Sequence, residues 1–293
     1  MPDSKIRNVI VYGLGAMGRP MARNLNKEQL LHGVWNRTTG KTKALNKELD
    51  LPEYESLEAL CAEADAVLTC VSADQDLIDV IESIYEHLKP GSTVIDCSTV
   101  SPKTARTLAD TLASRSIGFI DAPVSGGVEG AQKGTLSIMV GAEKENYKRA
   151  SEVFSAIGSQ ITYMGKVGQG QATKVVNQVM VAGIAQAVCS ALAMAEKCNL
   201  DLKKAVEVFS AGAAGNWFLD NRGTTMLNDE FSVGFKLSLL HKDLYICQET
   251  ASELNGHLEI IDNSIKDYGQ LLKEGHGDDD ISGLIKLKRE NFE

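Results

Sequence analysis

The stretch Gly13-Leu14-Gly15-Ala16-Met17-Gly18 follows directly on the apolar run Val9 to Tyr12. Its glycines stand at the first, third and sixth positions, between a predicted strand and a predicted helix. Such a turn brings backbone N–H groups and the positive end of a helix against a pyrophosphate, and small side chains allow close approach. A tight turn without a ligand would show the same spacing, but its place at the first strand-to-helix connection favours a dinucleotide site.

Strand-like and amphipathic segments alternate as far as Gly165, which predicts a parallel sheet built from βαβ units. The predicted strands are Val9 to Tyr12, Gly33 to Trp35, Ala66 to Val71, Thr93 to Asp96, Gly118 to Asp121, Leu136 to Val140 and Gln160 to Tyr163. The helices between them include Met17 to Leu25, Asp76 to Leu88 and Pro102 to Ala113.

Beyond Gly165 the strand pattern ends and long helices follow. They are predicted at about Ala172 to Lys197, Leu202 to Ala211, Leu237 to Leu254 and Leu258 to Glu274. The glycine-containing stretch 165–168 marks the boundary, because glycine allows a sharp change of direction. We therefore predict an α/β dinucleotide-binding domain over residues 1–165 and an all-helical domain over residues 166–293.

The composition is that of an ordinary soluble protein, with 293 residues, 43% hydrophobic residues and 24% charged residues. A net charge of -9 provides no basic surface for nucleic acid or an anionic membrane, so small molecules are the expected partners. The apolar segment Val179 to Ala195 contains Gln186 and Ser190 and is shorter than the roughly 20 residues that span a bilayer. We interpret it as a buried central helix.

The six cysteines are widely spaced, without a C-x-x-C pair or a histidine at metal-ligand spacing. They are expected to be reduced and mostly buried, and no metal site is predicted. The polar segment Met1 to Asn8 lacks the apolar stretch of a secretory signal, so the expected location is the cytoplasm.

The end of the second strand reads Trp35-Asn36-Arg37-Thr38-Thr39 and contains no carboxylate. NAD-binding proteins usually carry an acidic residue at this point for the ribose hydroxyls. Asn36 and Thr38 would not repel a 2′-phosphate, and Arg37 can pair with it through charge-assisted hydrogen bonds. The predicted cofactor is NADP(H). The alternative is that Arg37 is only a surface cation and contacts no cofactor.

Two later segments carry groups suited to a small acid substrate. Ser125, Gly126 and Gly127 follow a strand end and offer a hydroxyl and backbone N–H donors that suit a carboxylate, although an unoccupied glycine turn has the same composition. Lys174, Asn177 and Gln178 share one face of an apolar helix. A partly desolvated lysine there could protonate a developing alkoxide, and a lysine that extends to water is the alternative.

Lys242 and Asp243 form a second polar pair in an apolar helix, either near the cofactor or as an intrahelical surface pair. The neighbouring His241 is interpreted as structural. The aromatic residues Trp217, Phe218 and Phe235 could shape a pocket or belong to the core.

These motifs together resemble the β-hydroxyacid dehydrogenase family, which includes 3-hydroxyisobutyrate dehydrogenases, tartronate semialdehyde reductases and glyoxylate/succinic semialdehyde reductases. The resemblance extends over nearly the whole chain. It rests on the glycine turn with Met21-Ala22-Arg23-Asn24-Leu25, on Asp96-Cys97-Ser98-Thr99, on Asp121 to Gly127 with Gly134-Thr135-Leu136, on Gly165-x-x-Gly168-x-Gly170-x-x-x-Lys174-x-x-Asn177, and on Lys242-Asp243-Leu244.

The resemblance implies a Rossmann domain followed by a helical domain, an active site in the cleft, and a homodimer or homotetramer. It implies that Lys174 is catalytic, that Ser125 to Gly127 bind the substrate carboxylate, and that Asn177 and Gln178 contribute to the substrate site. Thr99 and Lys242 match positions that touch the cofactor, and Val71 and Ser72 are expected from the resemblance to line its nicotinamide side.

Two details of the resemblance indicate different branches of the family. The run Trp35-Asn36-Arg37-Thr38 is similar to the NADPH-dependent glyoxylate/succinic semialdehyde reductases, whereas Asn177-Gln178 is similar to the tartronate semialdehyde reductases. The leading hypothesis is an NADPH-dependent reductase of a small aldehyde-bearing carboxylic acid. The alternatives are 3-hydroxyisobutyrate or tartronate semialdehyde specificity, an imine reductase, and a non-catalytic NADP-binding partner protein; the presence of Lys174 disfavours the last two.

Overall fold

The computed structural model describes residues 5–232 and 234–292. By the density of its internal contacts the chain divides into two units, the first ending at Lys174 and the second beginning at Val175. The division falls inside one long helix, Gln169–Lys197. The predicted boundary at residue 165 lies just before that helix.

The first unit is a sheet of eight strands with helices between them. The strands are β1 Val9–Tyr12, β2 Leu31–Trp35, β3 Ala66–Thr69, β4 Thr93–Asp96, β5 Gly118–Asp121, β6 Val124–Ser125, β7 Leu136–Gly141 and β8 Gly158–Gly165. The helices are α1 Gly18–Lys27, α2 Thr39–Leu49, α3 Leu57–Glu63, α4 Asp74–Ile84, α5 Pro102–Ala113, α6 Gly127–Lys133, α7 Lys144–Arg149 and α8 Ser151–Ile157, after which α9 Gln169–Lys197 begins.

The order of strands places four of the segments that follow strands at one edge of the sheet. Strands β2, β1, β3, β4 and β5 are parallel neighbours in that order. Strand β7 runs antiparallel to β5 and β6, and β8 runs parallel to β7. The segments that follow β1, β3, β4 and β5 therefore meet at the carboxyl edge, where sheets of this kind bind ligands.

The central strands are mostly apolar because helices cover both faces of the sheet. Strands β3 and β4 are buried at every residue. At the start of α5, the Ser101 hydroxyl accepts a hydrogen bond from the Thr104 N–H, and Pro102 occupies the first turn as predicted.

The second unit is helical, with its own apolar core. After the remainder of α9 come α10 Leu202–Ala211, α11 Trp217–Leu227, α12 Leu237–Glu253, α13 Glu259–Lys273, a short 3₁₀ turn Ile281–Gly283, and α14 Leu284–Glu290. The expected α/β domain followed by a helical domain is confirmed.

Helix α9 is long and apolar enough to cross a membrane by length and composition, with a mean hydropathy of 1.7. Half of its apolar window is buried inside the protein. The helix was predicted to be buried, but it is buried on one side only, since Val176, Met180 and Met194 are exposed.

All six cysteines are free thiols. Four of them are buried, Cys70 is partly buried, and Cys198 is exposed.

Candidate functional site

The glycine turn follows β1 and leads into α1. Gly13 has a φ of +102°, and a methyl group there would clash with the carbonyl oxygen of Cys70. A methyl group at Gly18 would clash with the carbonyl oxygen of Gly13. At Gly15, by contrast, an added methyl would meet no atom within 4 Å. The first and last glycines are thus required by the turn itself, and the middle one leaves the open space that an approaching pyrophosphate needs.

The end of β2 stands next to this turn. The Asn36 side-chain oxygen accepts a hydrogen bond of 2.8 Å from the Leu14 N–H, so Asn36 stabilises the glycine turn. The Arg37 side chain is 84% exposed, and its Nη1 lies 3.3 Å from Oδ1 of Asp76. Thr38 precedes α2, and Lys41 and Lys43 on that helix are exposed. The end of β2 thus presents cations to solvent beside the turn.

The segments after β3 and β4 contain Val71, Ser72 and Thr99. The Ser98 hydroxyl accepts a 2.9 Å hydrogen bond from the Val71 N–H and donates one of 2.6 Å to Oδ1 of Asp96. Because β1, β3 and β4 are adjacent, both segments belong to the same sheet edge as the glycine turn. The residues on this edge fit a dinucleotide.

The neighbouring thiols are not activated. Burial raises the pKa of Cys70 to about 12 and raises the pKa of Cys97 well above its ordinary value. Both side chains therefore stay protonated at neutral pH, and a thiolate nucleophile is excluded at this edge.

Lys174 lies in the first turns of α9 and is only 7% exposed. Its Nζ donates a 2.9 Å hydrogen bond to the carbonyl oxygen of Val124. The following residues, Ser125, Gly126 and Gly127, form the predicted carboxylate loop, and both glycines have positive φ. The structure thus brings the lysine and this loop together. The alternative of a lysine extended into water does not hold.

Asp121 fixes the start of α9. Its carboxylate accepts hydrogen bonds of 2.8 Å from the N–H groups of both Gly168 and Gln171. Burial raises the pKa of Asp121 to about 7, although these N–H donors oppose the shift. The Asp121 carboxyl group therefore accepts hydrogen bonds from N–H groups at the start of α9, where the helix itself provides no acceptor.

The polar residues of the second unit form a chain of hydrogen bonds. Asn177 Nδ2 donates to Gln178 Oε1 at 2.9 Å, and Gln178 Nε2 donates to Asp243 Oδ2 at 2.7 Å. Lys242 Nζ lies 2.9 Å from the other oxygen of Asp243. Gln178 and Asp243 are buried, which argues against a plain surface pair. Both the oxygen and the nitrogen of the Gln178 amide have hydrogen-bond partners. Asn177 is only partly buried, so its amide is the more accessible of the two.

The remaining candidate residues of this unit are either packed into the structure or exposed at its surface. His241 faces the carbonyl oxygen of Ile265 at 3.2 Å, and burial lowers its pKa, which agrees with a structural role. Phe218 and Phe235 pack into the core. Trp217 is exposed, with the Arg222 guanidinium over its ring. Among the residues that the structure describes, no group of three or more His, Cys, Asp or Glu side chains is arranged to hold a metal ion.

Sequence reasoning assigned no role to Gln171 and Asp96, which are both fully buried at the carboxyl edge of the sheet. Gln171 Nε2 donates to the Ser98 carbonyl oxygen at 2.8 Å, and Asp96 accepts from Thr69 Oγ1 at 2.8 Å. A signal was available, since Gln171 precedes Lys174 by three residues and so shares its helix face.

Comparison with known proteins covers both units. Residues 8–165 match the model for the NAD-binding domain of 6-phosphogluconate dehydrogenase. Residues 168–288 match the model described as the NAD-binding region of NADP-dependent 3-hydroxyisobutyrate dehydrogenase. The two matches together take in both the glycine turn and Lys174.

Individual relatives align along their whole length. An NAD-dependent L-serine dehydrogenase of Pseudomonas aeruginosa is 30% identical over 96% of this chain and 98% of its own. An uncharacterized oxidoreductase of Synechocystis is 34% identical over 97% of this chain and 99% of its own. The solved structure of Mycobacterium tuberculosis 3-hydroxyisobutyrate dehydrogenase with L-serine has a TM-score of 0.87 at 27% identity, covering 97% of this chain and 99% of that one.

Proposed function

The chain belongs to the β-hydroxyacid dehydrogenase family of NAD(P)-dependent oxidoreductases, and from that premise we propose that it is an NADPH-dependent reductase of a small semialdehyde or glyoxylate-type acid. The reaction is reversible, so the enzyme also oxidises the corresponding hydroxyacid. The observation that carries the proposal is the buried Lys174 ammonium, bonded to Val124 directly before the Ser125–Gly127 loop.

When bound, the reduced nicotinamide supplies a hydride to the carbonyl carbon of the substrate. Lys174 donates a proton to the carbonyl oxygen as negative charge develops there, and takes it back in the oxidative direction. A positioned acid of this kind contributes on the order of a hundredfold or more to the rate. The Val124 carbonyl directs the ammonium group toward the loop and keeps it from turning away.

The Ser125 hydroxyl and the N–H groups of Gly126 and Gly127 bind the substrate carboxylate. A carboxylate needs several donors that converge on it at close range, and glycine allows the backbone to supply them. From the family resemblance we also assign Asn177 to substrate binding. Within the second unit, Gln178 accepts a hydrogen bond from the Asn177 amide and donates one to Asp243, which fixes the orientation of the Asn177 amide. Substrates without a carboxylate should accordingly be poor.

The preference for NADPH rests on the residues after β2. There is no carboxylate at this point to receive the ribose hydroxyls, and the exposed Arg37 suits a 2′-phosphate. The weak pairing of Arg37 with Asp76 leaves the guanidinium available to exchange partners. The rival is NAD, because the L-serine dehydrogenase relative is described as NAD-dependent.

We also propose that the protein is a homodimer or homotetramer in the cytoplasm. A stripe of exposed apolar and small residues follows one face of α9, and water-exposed methionine and valine at helical spacing favour burial against another copy. The stripe consists of the exposed residues Val176, Met180, Ala187, Ala191 and Met194, with the partly buried Gly183 between them.

A substrate panel tests the function. We expect the purified protein to oxidise NADPH with glyoxylate or with at least one of succinic, methylmalonate and tartronate semialdehyde. The kcat/KM measured with NADPH should be higher than that measured with NADH. Arg37→Ala should lower NADPH affinity by about tenfold, the loss of one hydrogen bond to a charged group, and leave NADH unchanged. Arg7→Ala, at another exposed arginine of the same unit, is the control.

The panel also decides among the alternatives. A preference for methylmalonate semialdehyde would favour 3-hydroxyisobutyrate specificity, and a preference for tartronate semialdehyde would favour tartronate semialdehyde specificity. The Asn177-Gln178 pair favours the latter. Oxidation of L-serine or 3-hydroxyisobutyrate with NAD+ alone would overturn the NADPH assignment. Dinucleotide binding without turnover of any substrate would favour a non-catalytic binding protein.

A further inference from the structure

Gln171 is a fully buried amide in the first turn of α9. Its Nε2 donates to the Ser98 carbonyl oxygen at 2.8 Å, and its Oε1 accepts from the Val100 N–H at 3.3 Å. Both ends of one amide group therefore bind the backbone on either side of Thr99. An amide satisfied at both ends has a single orientation, and it holds the segment it binds in one place.

The segment around Thr99 is in turn joined to the segment after β3. The Ser98 hydroxyl accepts from the Val71 N–H and donates to the buried carboxylate of Asp96. In the connection from Gln171 through Ser98 to Val71, Gln171, Ser98 and Asp96 are buried and Val71 is partly buried. The two strand-end segments therefore move together with the first turn of α9.

The helix end of this connection is equally fixed. The N–H groups of Gly168 and Gln171 both donate to the Asp121 carboxylate. A methyl group at Gly170 would clash with the carbonyl oxygen of Met139, so the first turn of α9 packs directly against β7. Lys174 follows Gln171 by less than one helical turn, and its position depends on where that first turn is held.

We propose that Gln171 is a positioning residue that holds the Val71–Ser72 and Thr99 segments, which line the nicotinamide end of the dinucleotide site, in a fixed relation to Lys174. The proposal rests on the proposed function. A displacement of about 1 Å between reacting groups can lower a rate by on the order of a hundredfold. Loss of the Gln171 amide should therefore lower the rate of hydride transfer more than it weakens the binding of either ligand, since the glycine turn remains intact.

The test compares Gln171→Met with Gln169→Met in the full-length protein. Both substitutions remove an amide from the same turn of α9, but the Gln169 side chain is exposed. We expect Gln171→Met to lower kcat by tenfold to a hundredfold while KM for NADPH stays within about threefold. The primary isotope effect on kcat, measured with NADPH deuterated at the transferred position, should rise, because hydride transfer becomes the slow step. Gln169→Met should match the wild type in all three measurements.

Hydrogen exchange in the protein without ligands gives a second, independent readout. The amides of residues 97–101 should exchange at least tenfold faster in Gln171→Met than in Gln169→Met, because the Val100 N–H loses its acceptor. If Gln171→Met does not fold, Gln171→Asn replaces it; the shorter amide keeps the polarity but cannot reach both partners.

The outcomes separate the two proposals. Equal kcat and isotope effect in the Gln171 and Gln169 variants, measured well below their unfolding temperatures, would overturn the positioning role. Unchanged exchange at residues 97–101 would overturn the connection itself, whatever the activity. A wild-type protein that binds dinucleotide and turns over no substrate would overturn the proposed function, and exchange would still decide whether Gln171 holds the segment.

Discussion

The ammonium group of Lys174 lies where most water has been excluded, and the Val124 carbonyl accepts its hydrogen bond. Burial of a lysine costs free energy unless polar groups replace the lost water. This free-energy cost is incurred beside the Ser125–Gly127 loop, where an ammonium group contributes little to packing. The position is therefore better explained by chemistry at the loop than by stability.

Replacement of Lys174 by alanine should strongly lower turnover and leave dinucleotide binding intact. We expect kcat to fall by a hundredfold to ten-thousandfold, the usual contribution of a general acid, while the dissociation constant of NADPH, measured by fluorescence titration, changes less than about threefold. Lys166→Ala removes an exposed lysine just before α9 and is the control. A Lys174→Ala enzyme with near-normal kcat would refute the proton-donor role.

Asp121 should make the stability of the protein depend on pH. Burial raises its pKa from 3.8 to about 7 in the folded state, so this group favours folding most below about pH 4, where it is protonated in both states. Its contribution is lost as the pH rises from 4 through 7, because the unfolded chain ionises first. The change should be on the order of a few kcal/mol.

Denaturant unfolding of the wild type and Asp121→Asn at pH 4 to 8 measures this effect. The stability of the wild type relative to the variant should fall between pH 4 and 7 and then level off. Asp110→Asn removes a carboxylate from the exposed side of α5 and serves as the control. A relative stability that rises with pH would mean that the bonds from Gly168 and Gln171 outweigh the burial of the charge.

The sequence allowed part of the site to be predicted, and the difference has a physical basis. The spacing of the motif glycines between a strand and a helix, and a lysine on an apolar helix face, are local patterns that can be recognised from the sequence alone. Gln171 and Asp96 are ordinary polar residues, and their importance comes from partners far away in the sequence. The partners of Gln171 and Asp96 become apparent only when the fold places the ends of β3, β4 and β5 side by side.

The glycine turn joins a strand to a helix, and at this scale the individual glycines should differ in function. Gly18→Ala should destabilise the fold by about 2 kcal/mol or more, since the new methyl group overlaps the Gly13 carbonyl oxygen. Gly15→Ala should leave the unfolding temperature nearly unchanged, because nothing lies within 4 Å of the added methyl. It should nevertheless weaken NADPH binding by at least tenfold, because the methyl group occupies the space that the pyrophosphate approaches.

Thermal unfolding without ligand and dinucleotide titration together check this contrast. Each variant controls for the other, since both replace glycine with alanine in one turn. If Gly15→Ala binds NADPH as tightly as the wild type, the open face of the turn is not where the dinucleotide lies.

The elements with strong apolar patterns were predicted well. The bounds of β1, β4, β5 and α5 agree with the prediction to the residue. Helices α2 and α11 had no predicted counterpart: α2 buries only Leu45 and Asn46 of its eleven residues, so no apolar stripe reveals it. The two-residue strand β6 is too short for any periodicity and is defined only by its pairing with β7.

At the scale of the whole molecule, α9 has two functions. Its first turns carry Gln171 and Lys174 in the first unit, and the rest provides buried residues for the core of the second unit. The hydropathy that suggested a wholly buried helix also comes from the exposed stripe. Sequence periodicity could not separate the two sides, because both are rich in small and apolar residues.

The stripe leads to a prediction about assembly. Val176, Met180 and Met194 are 64%, 62% and 55% exposed, and a contiguous apolar surface of this kind on one helix favours association between copies. Ala187 lies in the middle of the stripe. Ala187→Glu would bury an unpaired carboxylate in an interface formed there, which costs several kcal/mol, and the protein should dissociate toward monomers.

Sedimentation velocity or light scattering at micromolar concentration measures the change. The wild type should sediment as a dimer or tetramer, and Ala187→Glu as a species of at most half that mass with the same circular dichroism spectrum. Ala62→Glu makes the same substitution at an exposed alanine of α3 and should leave the mass unchanged. A wild-type monomer, or an Ala187→Glu protein of undiminished mass, would show that this face of α9 is not the interface, and the exposed methionines would then need another explanation.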